Sequence, residues 1–241
     1  MPGNALAARV AAVRARVENC LTEAGRAPGS VRIMAVTKGH VRARVDKLRA
    51  LGFSLFGENR VQEARAKFTE GALAGISLHL IGHLQTNKVK SALEIFQVIQ
   101  SLDSIRLAEA IQGRSQGRTV SVMVQVNAGR EPQKFGVWPE QVPAFLDSLR
   151  AFPALEVVGL MAVMPYVADT RRYMEETARV WRKERTVERP WAPLGELSMG
   201  SSNDFEEAIR QGSTMVRLGT VLVGARSGYP GQEGQDEGQP G

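Results

Sequence analysis

Short apolar runs alternate with amphipathic segments along nearly the whole chain. The run VRIMAVTK, residues 31–38, is almost continuously apolar and reads as a buried strand, with one lysine at its carboxyl end just before Gly39. Ahead of it, residues 4–24 carry Leu6, Val10, Val13, Val17 and Leu21 at every third or fourth position with arginines between them, which predicts a helix laid on a sheet. Gly25 and the Pro28-Gly29 pair end that helix. Residues 41–51 repeat the amphipathic pattern, close at Gly52 and lead into a strand at 53–56 that runs out in Gly57-Glu58-Asn59. Strand, helix and strand thus pass in about 30 residues, the length of a βαβ unit.

The same rhythm continues to the last strand. Further strands are predicted at 77–81, 97–100, 119–126, 156–163, 195–199 and 215–218, and further helices at 60–67, 88–95, 104–112, 139–151, 170–189 and 204–211. Eight strands alternating with helices over roughly 225 residues is the arithmetic of a (β/α)8 TIM barrel, an α/β fold. No Pro/Gly/Ser-rich linker divides the middle, so one domain over 1–226 is expected. The tail 227–241, rich in Gly, Gln and acidic residues, is expected to be disordered.

Composition narrows the partners. A hydrophobic share of 43% and a charged share of 23% over 241 residues describe an ordinary globular chain. The net charge of +6 raises a nucleic-acid reading, but the basic residues are dispersed and interleaved with acids, as in Arg182-Lys183-Glu184-Arg185. With three histidines and the single Cys20, which sits in a helical pattern and reads as a small buried residue, no zinc ligand set is expected. No apolar run approaches the ~20 residues that span a bilayer, and the N-terminus lacks a signal-peptide layout, so a cytoplasmic protein without membrane contact is expected.

A barrel gathers its strand ends on one face, where parallel α/β folds bind ligands. Lys38, Asn59, His83, Ser101, Asn127, Met161, Ser198 and Arg217 would then meet around one mouth. Bland roles remain for some of them. Ser101 or Asn127 can cap a following helix or turn, and His83 can be structural. Two late segments add donors. Met199-Gly200-Ser201-Ser202-Asn203-Asp204 places hydroxyls and glycine before a helix, and Arg217-Leu218-Gly219-Thr220 ends the last strand with a glycine and a threonine. An amine and a phosphate cradle on one rim point to an aldehyde phosphate, and pyridoxal 5′-phosphate (PLP) fits that pair.

The motifs together resemble the family of pyridoxal phosphate homeostasis proteins, the YggS/PROSC type: AVTK, FGENRVQEA, LHLIGHLQTNK, QSLDS, VMVQVN, KFGV, GLMAVMP, LSMGSSNDFEEAI and GSTMVRLGT, from Val31 to Arg226. The resemblance implies a barrel like the N-terminal domain of alanine racemase, with Lys38 as the Schiff-base lysine. It implies that Ser201, Ser202, Gly219 and Thr220 hold the phosphate, that Arg217 faces the pyridine nitrogen, and that Asn59 and His83 lie near the pocket. Where Arg60, Ser201 and Asn203 stand, the family usually carries Tyr, Met, and Gly or Ala, so Ser202 is the firmer phosphate residue.

The implied role is intracellular PLP homeostasis without substrate turnover, with PLP-dependent apo-enzymes as possible recipients. The alternative is a PLP-dependent amino-acid racemase. A racemase needs a second acid/base on the opposite face of the imine, which alanine racemases take from a second β domain, and no residues remain here for one. A lysine-dependent aldolase acting on a sugar phosphate would share the barrel, the amine and the phosphate site.

Overall fold

The computed structural model describes residues 2–68 and 73–225, so the tail expected to be disordered, 227–241, lies outside the described residues. The chain opens with helix α1 (Pro2–Glu23), then strand β1 (Arg32–Val36), α2 (Arg42–Ala50), β2 (Leu55–Glu58), α3 (Val61–Lys67) and β3 (Ser77–Leu80). It continues through α4 (Val89–Leu93), β4 (Val98–Leu102), α5 (Ile105–Gln112), β5 (Val120–Asn127), α6 (Val142–Ser148) and β6 (Leu155–Val163). The last elements are α7 (Arg171–Glu184), β7 (Glu196–Ser198), α8 (Phe205–Arg210), β8 (Met215–Leu218) and α9 (Thr220–Val223). The strands pair in chain order, all parallel, and β8 closes on β1 with Met34 opposite Arg217. The architecture is a (β/α)8 TIM barrel.

Alternation along each strand splits the core into two layers. One face packs against the helices and includes Ala35, Phe56, Leu78, Leu80, Ile99, Leu102, Val216 and Leu218. The α1 stripe Leu6, Val10, Val13, Val17, Cys20 and Leu21 is buried in the same layer, and α1 packs against α8 and α9. Burial pushes the Cys20 thiol above its ordinary pKa, in keeping with a packing residue. The other face fills the barrel with Met34, Val36, Leu55, Met123, Met161 and Met215. Four of these six are methionines, whose unbranched chains fill an irregular interior.

Several element boundaries depart from the sequence expectation. β2 starts at Leu55 rather than Phe53, because the Phe53 N–H donates to Leu48 O and belongs to the turn that closes α2. β4 runs on to Leu102 through a bulge between Ile99 and Leu102. The helix expected at 88–95 is a 3-10 turn, Thr86–Lys88, followed by α4, and the one expected at 139–151 is α6 between two 3-10 turns. α7 stops at Glu184, not at 189: Arg189 precedes Pro190, which disfavours helical geometry, and its guanidinium folds back onto Glu184 O and Oε2 and onto Asp147. After Gly219 the chain adds a short helix, α9, beyond the helices that the sequence pattern predicts.

Candidate functional site

Lys38 lies two residues beyond the end of β1. Met34 and Val36 face the barrel interior, and Lys38 follows in the turn at the carboxyl end of the strand, where it is half-buried. The chain then turns through Gly39, whose φ of 73° is the left-handed conformation that glycine adopts at least cost.

Arg217, one residue from the end of β8, alternates with the outward Val216 and Leu218 and therefore enters the barrel. Its Nη1 donates to Ser198 O at 2.7 Å and Ser198 Oγ at 3.0 Å, and its Nη2 donates to Ala162 O at 2.8 Å. Burial lowers its pKa to about 10, so it remains a cation at neutral pH. Behind it, Ser198 Oγ donates to Gln100 Oε1 at 2.9 Å, and Gln100 Nε2 lies 2.8 Å from His79 Nδ1. The His79 Nε2 in turn lies 3.0 Å from Ser77 Oγ. Burial drives the His79 pKa down to about 3, so its ring is neutral and Nδ1 accepts from the Gln100 amide. Arg217 thus heads a directional chain in which Ser198, Gln100 and His79 accept in turn and hold it from beneath.

The loop after β7 and the end of β8 meet at Ser202. Ser202 Oγ accepts from Gly219 N at 3.2 Å and Val221 N at 3.3 Å, which joins two segments that the sequence singled out separately. Gly200 anchors this loop: its φ is 95°, and a Cβ there would lie 2.5 Å from Ala208 Cβ. Ser201 instead turns to Asp204, whose Oδ1 takes both its N–H at 2.6 Å and its hydroxyl at 2.8 Å. Thr220 is exposed at the first turn of α9.

The remaining mouth residues differ in role. His83 lies over the rim with Nδ1 3.2 Å from Asp103 Oδ2, and its ring stacks on Phe135 at 3.5 Å and 10°. The Asn59 carbonyl lies against Gly82, where an added Cβ would come within 2.2 Å of it, so the loops after β2 and β3 pack backbone to backbone. Asn127 spends its side chain on its own loop: Nδ2 donates to Glu131 O and Lys134 O, and Oδ1 accepts from Glu131 N. That is the turn-capping role. Met161 sits in the inner methionine layer, two residues short of the end of β6, and is not a rim residue. Ser101 is buried, and its Oγ has no hydrogen-bond partner among the described residues; the helix cap beside it is Ser104, which accepts from Leu107 N.

Two polar groups escaped the sequence reading. Gln100 stands in the otherwise apolar run Val98-Ile99-Gln100, and a buried amide in a core strand is a legible signal of an interior partner. The other is a buried set of Thr37, Glu58, Glu63 and Lys67 behind the Lys38 turn, signalled only by the four-residue spacing of Glu63 and Lys67. Among the described residues no group of three His, Cys, Asp or Glu could hold a metal ion. None of the described helices is long and apolar enough to cross a membrane.

A family model described as "Alanine racemase, N-terminal domain" matches residues 9–227. A Pseudomonas aeruginosa protein named pyridoxal phosphate homeostasis protein is 37% identical over 223 residues, covering 92% of this chain and 96% of its own length. The Deinococcus radiodurans protein of the same name is 39% identical over 219 residues, covering 88% and 98%. Among solved structures, PipY of Synechococcus elongatus with PLP bound has a TM-score of 0.78 at 34% identity, covering 91% of this chain and 100% of that one. Alanine racemase from Corynebacterium glutamicum, at 18% identity and a TM-score of 0.67, covers 96% of this chain and 63% of that one and shares the fold.

Proposed function

This chain belongs to the pyridoxal phosphate homeostasis proteins, within the alanine racemase N-terminal domain family, and from that premise we propose that it binds PLP as a Schiff base on Lys38. Formation of that C=N bond between the lysine amine and the aldehyde releases water. PLP supplies the aldehyde, and in an enzyme an electron sink; here it is held for release to enzymes that use it, without turnover of a substrate. The relatives are named for homeostasis and not for a reaction, which supports that restraint.

One observation carries the proposal: Ser202 Oγ, Gly219 N and Val221 N converge on the rim that also carries Lys38. Because Ser202 Oγ accepts both N–H groups, its own hydroxyl proton is left to offer a phosphate, with the exposed Thr220 beside it and Ser201 one residue away. Arg217, kept cationic and fixed by Ser198 and Ala162, suits the pyridine nitrogen as a donor that does not give up its proton. The Ser101 hydroxyl, buried and without a hydrogen-bond partner among the described residues, is a further polar group in β4 that calls for a partner. Asn59 and His83 complete the mouth.

The test is borohydride reduction of the protein incubated with PLP, followed by peptide mass spectrometry. A reduced PLP adduct on Lys38, absent from Lys38→Ala together with its absorbance band, is the expected result. An adduct confined to another lysine, or none, overturns the assignment. Sustained loss of optical activity when the loaded protein meets L- or D-alanine would replace the carrier by a racemase.

A further inference from the structure

Both backbone neighbours of Lys38 are tied to one buried ionic cluster. Lys67, at the end of α3, has a fully buried side chain, and its three donors are all used: on Thr37 O at 2.6 Å, on Glu58 Oε1 at 2.7 Å and on Glu63 Oε1 at 3.0 Å. Thr37 Oγ1 donates to the same Glu58 oxygen at 2.6 Å. On the other side of Lys38, the Gly39 N–H donates to Glu63 Oε1 at 2.6 Å. Strand β2 supplies Glu58, α3 supplies Glu63 and Lys67, and the turn after β1 supplies the groups they hold.

Such a cluster is a poor way to gain stability. Removing an ammonium and two carboxylates wholly or largely from water is costly, and well-packed apolar residues often serve a fold equally well. The cost is visible here: Glu58 Oε2 is buried without a hydrogen-bond partner among the described residues, and burial raises the Glu58 pKa against the pull of Lys67 and Thr37. What the charges provide is direction, because each spends a hydrogen bond on the backbone or side chain of residues 37 and 39. A lysine side chain has four rotatable bonds, and fixing where its Cα sits and how the Cα–Cβ bond points limits where its amine can reach.

We propose that Glu63 and Lys67, braced by Glu58, are positioning residues that set the Lys38 turn and thereby aim its amine into the mouth. The proposal rests on the PLP reading given above. Glu63 is the residue to vary, since its side chain is 16% exposed and its loss leaves Lys67 paired with Glu58. In Glu63→Ala the Gly39 N–H and one Lys67 proton lose their acceptor. In Glu63→Gln an amide oxygen can still take the Gly39 N–H.

Two measurements test it, one of them without ligand. In the ligand-free protein, amide exchange at Gly39 should accelerate in Glu63→Ala and return toward the parent rate in Glu63→Gln. Absorbance titration with PLP should give affinity about tenfold or more weaker for Glu63→Ala, the loss of a charge-assisted hydrogen bond, with partial recovery in Glu63→Gln. Borohydride trapping should show correspondingly less adduct on Lys38 at fixed PLP. Parent-like exchange at Gly39, or a parent-like titration of Glu63→Ala, overturns the proposal. If Glu63→Ala does not fold, Glu63→Gln carries both measurements, and a Gly39 exchange rate and PLP affinity equal to those of Glu63→Asp overturn it. A parent protein that traps no PLP on Lys38 removes the reading beneath; trapping in the parent that the variants leave unchanged removes this inference alone.

Discussion

At the scale of single residues, His79 and Ser202 give contrasting tests. His79 is neutral in the fold with its pKa near 3, against 6.5 in the unfolded chain, so between those values the unfolded state binds more protons and stability falls as the pH falls. From pH 7 to pH 5 this one group should remove about 2 kcal/mol of unfolding free energy, at 1.36 kcal/mol per pKa unit. Denaturant titrations of the parent and of His79→Gln should show that slope shrinking in the variant. Ser202→Ala strips the hydroxyl that meets Gly219 N and Val221 N, and PLP affinity by titration should fall about tenfold, one lost hydrogen bond to a charged group. Lys38 and Arg217 are readable from sequence as residue types at strand ends, and Ser202 as a hydroxyl in the glycine-containing segment before a helix. The partners that orient them, Gln100 for Ser198 and Glu63 for Gly39, lie 98 and 24 residues away in the chain and become neighbours only in the barrel.

At the scale of elements, apolar periodicity located every strand and its order, and it erred at the ends. Phe53 is as apolar as Leu55, so pattern cannot tell the last residue of a turn from the first of a strand; the hydrogen bond to Leu48 O decides. The bulge in β4 and the folded-back Arg189 are likewise set by partners on other elements. Gly82 makes an element-scale prediction. An added Cβ would sit 2.2 Å from Asn59 O and 2.8 Å from Asn59 Cα, both backbone atoms that cannot rotate away, so the loops after β2 and β3 must part. Gly82→Ala should cost about 1–3 kcal/mol in denaturant unfolding, the usual range for overpacking. An unchanged midpoint would mean that these loops are not held together as described.

At the scale of the whole molecule, closure is the governing fact. β8 pairs with β1 and with β7, carries Arg217 inward and leads to Gly219 at the rim. Removing residues 215–225 should leave two unpaired strand edges and an open methionine layer, and thermal unfolding followed by circular dichroism should lose its cooperative transition. The alternation of eight apolar runs with amphipathic helices was enough to specify a parallel barrel, because side-chain period and connection length are local properties that each segment carries alone. The rim residues followed from it, since every strand of such a barrel points its carboxyl end the same way. Which rim side chains enter the mouth, which turn back on their own loops as Asn127 and Ser201 do, and which buried charges brace the Lys38 turn were decided by the tertiary structure alone. Those outcomes depend on distances between residues far apart in sequence and on the exclusion of water from the space between them, neither of which a linear pattern contains.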